Sequence, residues 1–209
     1  MSKPASNKPA PNKQYDREYF DQWYRHRGIG GAKRLARKVA LALATAEYHL
    51  ERPIRSVLDI GCGEGVWRAP LLKLRPNLHY LGFDSSDYAI ARYGRARNLH
   101  FARFGDFALL RPCPPVDLLV CSDVLHYLPI RELDRGLPGL AELCGGVAFL
   151  ETFTREDGAE GDTIGFKRRP ARFYHQWFTK LGFAPLGSHL WLSPTLRDAA
   201  AALEIPATS

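Results

Sequence analysis

The chain has 209 residues, room for one domain with a full core and too few for two comfortable ones. Its 45% hydrophobic and 24% charged residues suit a globular protein, and no apolar run approaches the roughly 18 residues that span a bilayer. The net charge of +7 is local: residues 1–38 hold ten Lys or Arg against three acids, which leaves 19 of each in the remainder.

Residues 1–14, rich in Pro, Lys, Asn and Ser, are expected to be a disordered basic tail. Such an arm reads either as a solvated tail that aids solubility, the favoured reading, or as a contact for RNA, phosphate or anionic lipid. It has no apolar stretch of the signal-peptide kind. A helical cap is predicted over about 15–50. Aromatic residues recur there at helical spacing (Tyr15, Tyr19, Trp23, with Phe20 and Tyr24 beside them), as core packing or as a lid. Glycines 28, 30 and 31 interrupt the pattern. The helix that follows carries Leu35, Val39, Leu43, Ala46 and Leu50 on one face, with Arg34, Arg37 and Lys38 largely off it.

Strands and helices then alternate. Strands are predicted over 56–60, 79–83, 99–103, 116–121 and 147–150, and a late one within 184–192. Helices are predicted over 66–74, about 87–97, 130–143 despite Gly136 and Pro138, and 170–181, before a short Ala-rich C-terminal helix. Apolar strands separated by helices predict a single α/β domain over 15–209: a Rossmann-like, doubly wound, mostly parallel sheet with helices on both faces. The four cysteines (Cys62, Cys113, Cys121, Cys144) have neither CxxC nor zinc spacing. Buried reduced thiols, a cytoplasmic setting and no metal are therefore expected.

The run Val57-Leu58-Asp59-Ile60-Gly61-Cys62-Gly63-Glu64-Gly65 sits where the first strand turns into its helix, the ligand-binding edge of such sheets. A dinucleotide loop of the G-x-G-x-x-G type wants its third glycine one position later, where Val66 stands. Asp59 and Glu64 also place negative charge around the loop, which repels a pyrophosphate and suits a ligand bearing an ammonium and a sulfonium. S-adenosylmethionine (SAM) is such a ligand.

With these residues the chain, from about Tyr15 to Leu192, resembles the class I SAM-dependent methyltransferases. The resemblance implies that the backbone of Asp59–Gly65, with Gly61, Cys62 and Gly63, contacts the methionyl part of SAM. Asp84, nineteen residues after Gly65 at the end of the second strand, would accept from the ribose hydroxyls, with Ser85 beside it. Asp106 and Phe107 would meet the adenine, and Ser122 would line the methyl-facing end of the fourth strand. Cys62 also reads as a small filler, and Asp84 and Asp106 as helix N-caps. The family's Asn/Asp-Pro-Pro-Tyr/Phe signature is replaced by Ser122-Asp123-Val124-Leu125.

On the acceptor side, His126 is the candidate base or a wall residue, with Tyr127 next to it. Glu151 ends the fifth strand and reads as an acceptor contact or a turn cap. Arg168 and Arg169, with Lys167 and Arg172, open the helix after that strand. Cations are disfavoured at a helix N-terminus, so they hint at an anionic acceptor or pair with the loop acids Glu156, Asp157, Glu160 and Asp162. The expected function is methyl transfer from SAM to a small-molecule acceptor, an anionic one being the finer reading. An RNA methyltransferase using the basic arm and a catalytically silent SAM-binding partner are the alternatives. No membrane partner is expected, and the sequence is silent on oligomeric state. The last hairpin of the family sheet is expected to be shortened, because Phe183–Leu192 contains Pro185 and Gly187.

Overall fold

The computed structural model describes residues 16–21, 31–158 and 164–205. The basic tail and all but Tyr19 and Phe20 of the aromatic stripe lie outside these. Two N-terminal helices, α1 (Arg17–Phe20) and α2 (Gly31–Leu50), precede an alternation of strands and helices. The order is β1 (Ser56–Ile60), α3 (Arg68–Leu74), β2 (His79–Asp84), α4 (Asp87–Arg97) and β3 (Leu99–Phe101), then a 3-10 turn (Phe104–Ala108). There follow β4 (Val116–Ser122), α5 (Ile130–Leu143), β5 (Cys144–Glu151), α6 (Ala171–Lys180), β6 (Ala184–Gly187), β7 (Leu190–Leu192) and α7 (Pro194–Arg197).

Seven strands form one sheet in the order β3-β2-β1-β4-β5-β7-β6; the first five are parallel and β7 runs antiparallel to both neighbours. The order reverses between β1 and β4, and in open α/β sheets the ligand crevice lies at that switch, beyond the carboxyl ends of the strands. Successive strand residues feed opposite faces. Leu58, Ile60, Leu119 and Cys121 join the core under α5 and α6, while Val57, Leu118 and Val120 join the one under α2 and α3. The predicted apolar stripe of α2 docks on the second face through buried Val39, Leu43 and Ala46.

Two glycines explain why α5 tolerates its unusual composition. A Cβ on Gly136 would stand 2.4 Å from the Phe104 carbonyl oxygen, and one on Gly139 1.8 Å from that of Phe107. Glycine there lets the helix approach the backbone of the 3-10 turn, which outweighs its low helix propensity. The late strand expected within 184–192 is in fact a hairpin of two short strands, so the sheet is complete though its last pair is brief. Three cysteines are buried and reduced, whereas Cys113 is only half-buried. No helix among the described residues is long and apolar enough to cross a membrane.

Candidate active site

The carboxyl ends of β1, β2, β4 and β5 bring most of the sequence-predicted residues to one edge. Asp59 is 1% exposed, facing α2 and α3, and accepts a hydrogen bond from the Tyr80 hydroxyl at 2.6 Å. Burial pushes its carboxyl up to about 7; the Tyr80 hydrogen bond opposes this and the Asp84 charge adds to it. The loop then turns through Gly61, Gly63 and Gly65 at φ of 74°, 54° and 73°, a region that glycine enters freely. A Cβ on Gly61 would lie 2.3 Å from Val124 Cγ2, so this glycine also lets the β1 loop and the β4 loop meet. Cys62 is buried, with its thiol pushed well up by desolvation, as a packed filler would be.

Asp84 clasps the loop from the neighbouring strand. Its two carboxylate oxygens accept the backbone N–H groups of Gly63 and Ser86, each at 2.8 Å. Burial raises this carboxyl, against the pull of those two N–H groups and that of Ser85. Each oxygen has a second lone pair, so the clasp leaves acceptor capacity for a ligand's hydroxyls. The N-cap of α4 is Ser86, whose side chain accepts from the Ala89 N–H; Asp84 is not that cap. Ser85, exposed, lies between them.

Asp106 is exposed and accepts the Arg103 N–H at 2.8 Å, which ties down the start of the 3-10 turn. The Phe107 ring is fully buried, edge-on to Phe83 with centroids 5.5 Å apart, so it packs in the core and does not face a ligand. Gly105 donates its N–H to Glu132 of α5 at 2.9 Å, a partner the sequence did not single out.

At the ends of β4 and β5, Ser122 donates to Glu151 Oε2 at 2.5 Å. Lys38, reaching over from α2, stands 2.5 Å from Oε1 and donates to Oε2 at 2.7 Å. Burial pushes the Glu151 carboxyl up, and the Lys38 and Ser122 hydrogen bonds more than reverse this, leaving it below the ordinary value. His126 is 1% exposed, with Nε2 3.2 Å from Asp123 Oδ1, and its ring lies 4.2 Å from that of half-buried Tyr127.

The basic group divides. Arg169 turns inward, donating to the Leu128 carbonyl at 2.6 Å with its guanidinium over the Phe173 ring. Lys167, Arg168 and Arg172 are exposed. Of the loop acids, Glu156 pairs with Arg155 and accepts the Ala171 N–H, and Asp157 accepts from Thr154. Neither is spent on Arg168; Glu160 and Asp162 lie outside the described residues. No metal-binding cluster occurs among the described residues.

A family profile described as a methyltransferase domain matches residues 58–146, which span β1 to β5. The chain is 32% identical over 153 residues to a trans-aconitate 2-methyltransferase of Deinococcus radiodurans, covering 72% of this chain and 56% of that protein. It thus spans about half the length of that curated relative. Among solved structures it resembles a sugar N-methyltransferase from Streptoalloteichus, with TM-score 0.63, 17% identity and coverage of 92% of this chain and 97% of the other. It also resembles the magnesium protoporphyrin IX methyltransferase of Synechocystis with bound SAM, with TM-score 0.57, 21% identity and coverage of 81% and 83%. These structural likenesses are of fold. The profile over β1 to β5, the curated relative and an acid-lined glycine loop at the sheet's switch point make the chain similar to the class I SAM-dependent methyltransferases.

Proposed function

We propose that the protein transfers a methyl group from SAM to a small acid. One observation carries the cofactor half of this reading: a positive-φ glycine loop clasped by Asp84 and backed by buried Asp59. Backbone N–H groups and carboxylates in that arrangement fit a ligand with ribose hydroxyls and cationic centres, and oppose a pyrophosphate. SAM supplies a methyl group already activated on a sulfonium. What is left to the chain is to bind, orient and exclude water, through residues on five different elements of one edge. Asp84 and Ser85 would hold the ribose, the backbone of Gly61–Gly63 the methionyl part, and Asp106 with the Phe107 backbone the adenine.

The acceptor half is supported by the exposed cations Lys167 and Arg168 at the same edge. A relative named for an acidic acceptor, trans-aconitate, points the same way.

Ligand-induced stabilisation is the direct test. SAM at about a hundred times its dissociation constant should stabilise the fold by about 2.7 kcal/mol, read as a thermal shift, while NAD should give none. A shift with NAD and none with SAM would overturn the reading. Asp84→Ala should cost roughly 2 kcal/mol of SAM affinity by calorimetry. Because it also orphans the Gly63 and Ser86 N–H groups, it should lower stability by about 1–3 kcal/mol, and Asp84→Asn should restore part of both. Unchanged affinity in Asp84→Ala would remove this residue from the cofactor site.

A further inference from the structure

The segment Asp123–Leu128, which follows β4, is fixed from several sides. The Asp123 N–H donates to the Glu151 carbonyl at 2.9 Å, and the His126 carbonyl accepts the Lys167 N–H at 2.7 Å. Arg169 holds the Leu128 carbonyl, and Val124 fills the space over Gly61. Asp123 itself adopts φ 64°, a region sparsely populated outside glycine, so the neighbours hold it in a conformation it would not choose alone.

This rigid loop presents a single carboxylate. The Asp123 side chain is 47% exposed, and beneath it His126 is buried between the Phe153 and Phe166 rings, at centroid distances of 5.5 and 5.1 Å. The Phe153 N–H donates to His126 Nδ1 at 3.3 Å, with Thr152 Oγ1 3.2 Å from the same nitrogen. The hydrogen-bond network therefore assigns the ring hydrogen to Nε2, aimed at Asp123 Oδ1. Nδ1 accepts and Nε2 donates, so both ring nitrogens are engaged within the protein. What the pair offers outward is an oriented carboxylate that accepts hydrogen bonds and cannot donate them.

Resting on the methyltransferase reading, we propose that Asp123 is an acceptor-recognition residue, held in place by His126 as a positioning residue, and that it selects small acids carrying a hydroxyl or amine donor. The charges favour that class. A plain polycarboxylate is attracted by Lys167 and Arg168 but repelled by Asp123, whereas an acid with an added O–H or N–H donor satisfies both signs. The two groups are neighbours through the Lys167–His126 backbone bond. A site with a carboxylate waiting for a donor discriminates strongly against the analogue lacking it.

The test uses the full chain with saturating S-adenosylhomocysteine and three matched diacids: succinate, malate and aspartate. Malate or aspartate should bind wild type about tenfold more tightly than succinate, the scale of one hydrogen bond to a charged group. Asp123→Ala should abolish the preference and leave the S-adenosylhomocysteine affinity unchanged. Nitrogen-detected NMR should show His126 protonated at Nε2 and bare at Nδ1, with the Nε2–H signal moving in Asp123→Ala, which a purely structural histidine would not show. Equal binding of the three acids, a preference that survives Asp123→Ala, or a proton on Nδ1 would overturn the assignment. Failure of S-adenosylhomocysteine to bind would bring down the methyltransferase reading first and this assignment with it.

Discussion

Lys38→Met should cost about 3–5 kcal/mol of stability near neutral pH, the usual penalty for stripping one partner from a buried ion pair. The Glu151 side chain is 2% exposed and Lys38 25%, so the carboxylate cannot turn to water when its cation is lost. Only the Ser122 hydroxyl would remain on it. The pH dependence identifies the cause. In wild type the Glu151 carboxyl is held below its ordinary value, so its contribution is present above the unfolded pKa and fades as pH falls through the folded one. Without Lys38, only the Ser122 hydrogen bond and the His189 charge oppose burial, and the folded pKa should rise. The variant's deficit should therefore shrink as pH falls, because the buried group can then be neutral. Adding Glu151→Gln to Lys38→Met should recover most of the loss. Urea unfolding at two pH values reads all three proteins, and a deficit under about 1 kcal/mol that ignores pH would show that the pair is a solvated contact. The consequence reaches the site, since this pair ties α2 to the edge where β4 and β5 end.

Neither Lys38 nor the role of Asp123 was legible in the sequence, for different reasons. Helical periodicity put Lys38 largely off the apolar face of α2, and nothing local says that its side chain meets a carboxylate 113 residues away. Asp123 did carry a signal, an acid three residues before His126 at a strand end, but sequence alone could not say which of the two is exposed. The reverse holds for the parallel strands. Their apolar runs have one meaning in a buried sheet, and α4 and α5 have the bounds their periodicity and flanking residues predict. The closing hairpin was hidden because its two-residue turn is Ser188-His189, both at positive φ (49° and 67°). Such turns are signalled by Asn-Gly or Asp-Gly, so the fold imposed here a conformation that local preference does not advertise. Arg169 shows the limit of charge reading: composition grouped it with Arg168, while its contacts make it a brace for the His126 loop.

Asp59 should make the fold less stable as pH rises from about 4 to about 7. Its folded carboxyl titrates near 7 against an ordinary 3.8, so across that window the folded chain keeps a proton that the unfolded chain has released. Three pH units correspond to a loss on the order of 4 kcal/mol, complete once pH exceeds the folded value. Asp84, also raised, adds in the same direction, while Glu47, Asp117 and Glu151, all lowered, act with the opposite sign and only at more acid pH. Asp59→Asn keeps an acceptor for Tyr80 and removes the titration, so its stability should change far less between pH 5 and 8. The same carboxyl links binding to protons. A ligand with a sulfonium and an ammonium favours the ionised form, so SAM should bind wild type more tightly as pH rises toward about 7 and release protons on binding near pH 6. Calorimetry in two buffers of different ionisation enthalpy measures that release directly. Proton release of equal size in wild type and Asp59→Asn would show that the buried carboxyl does not sense the cofactor's charge.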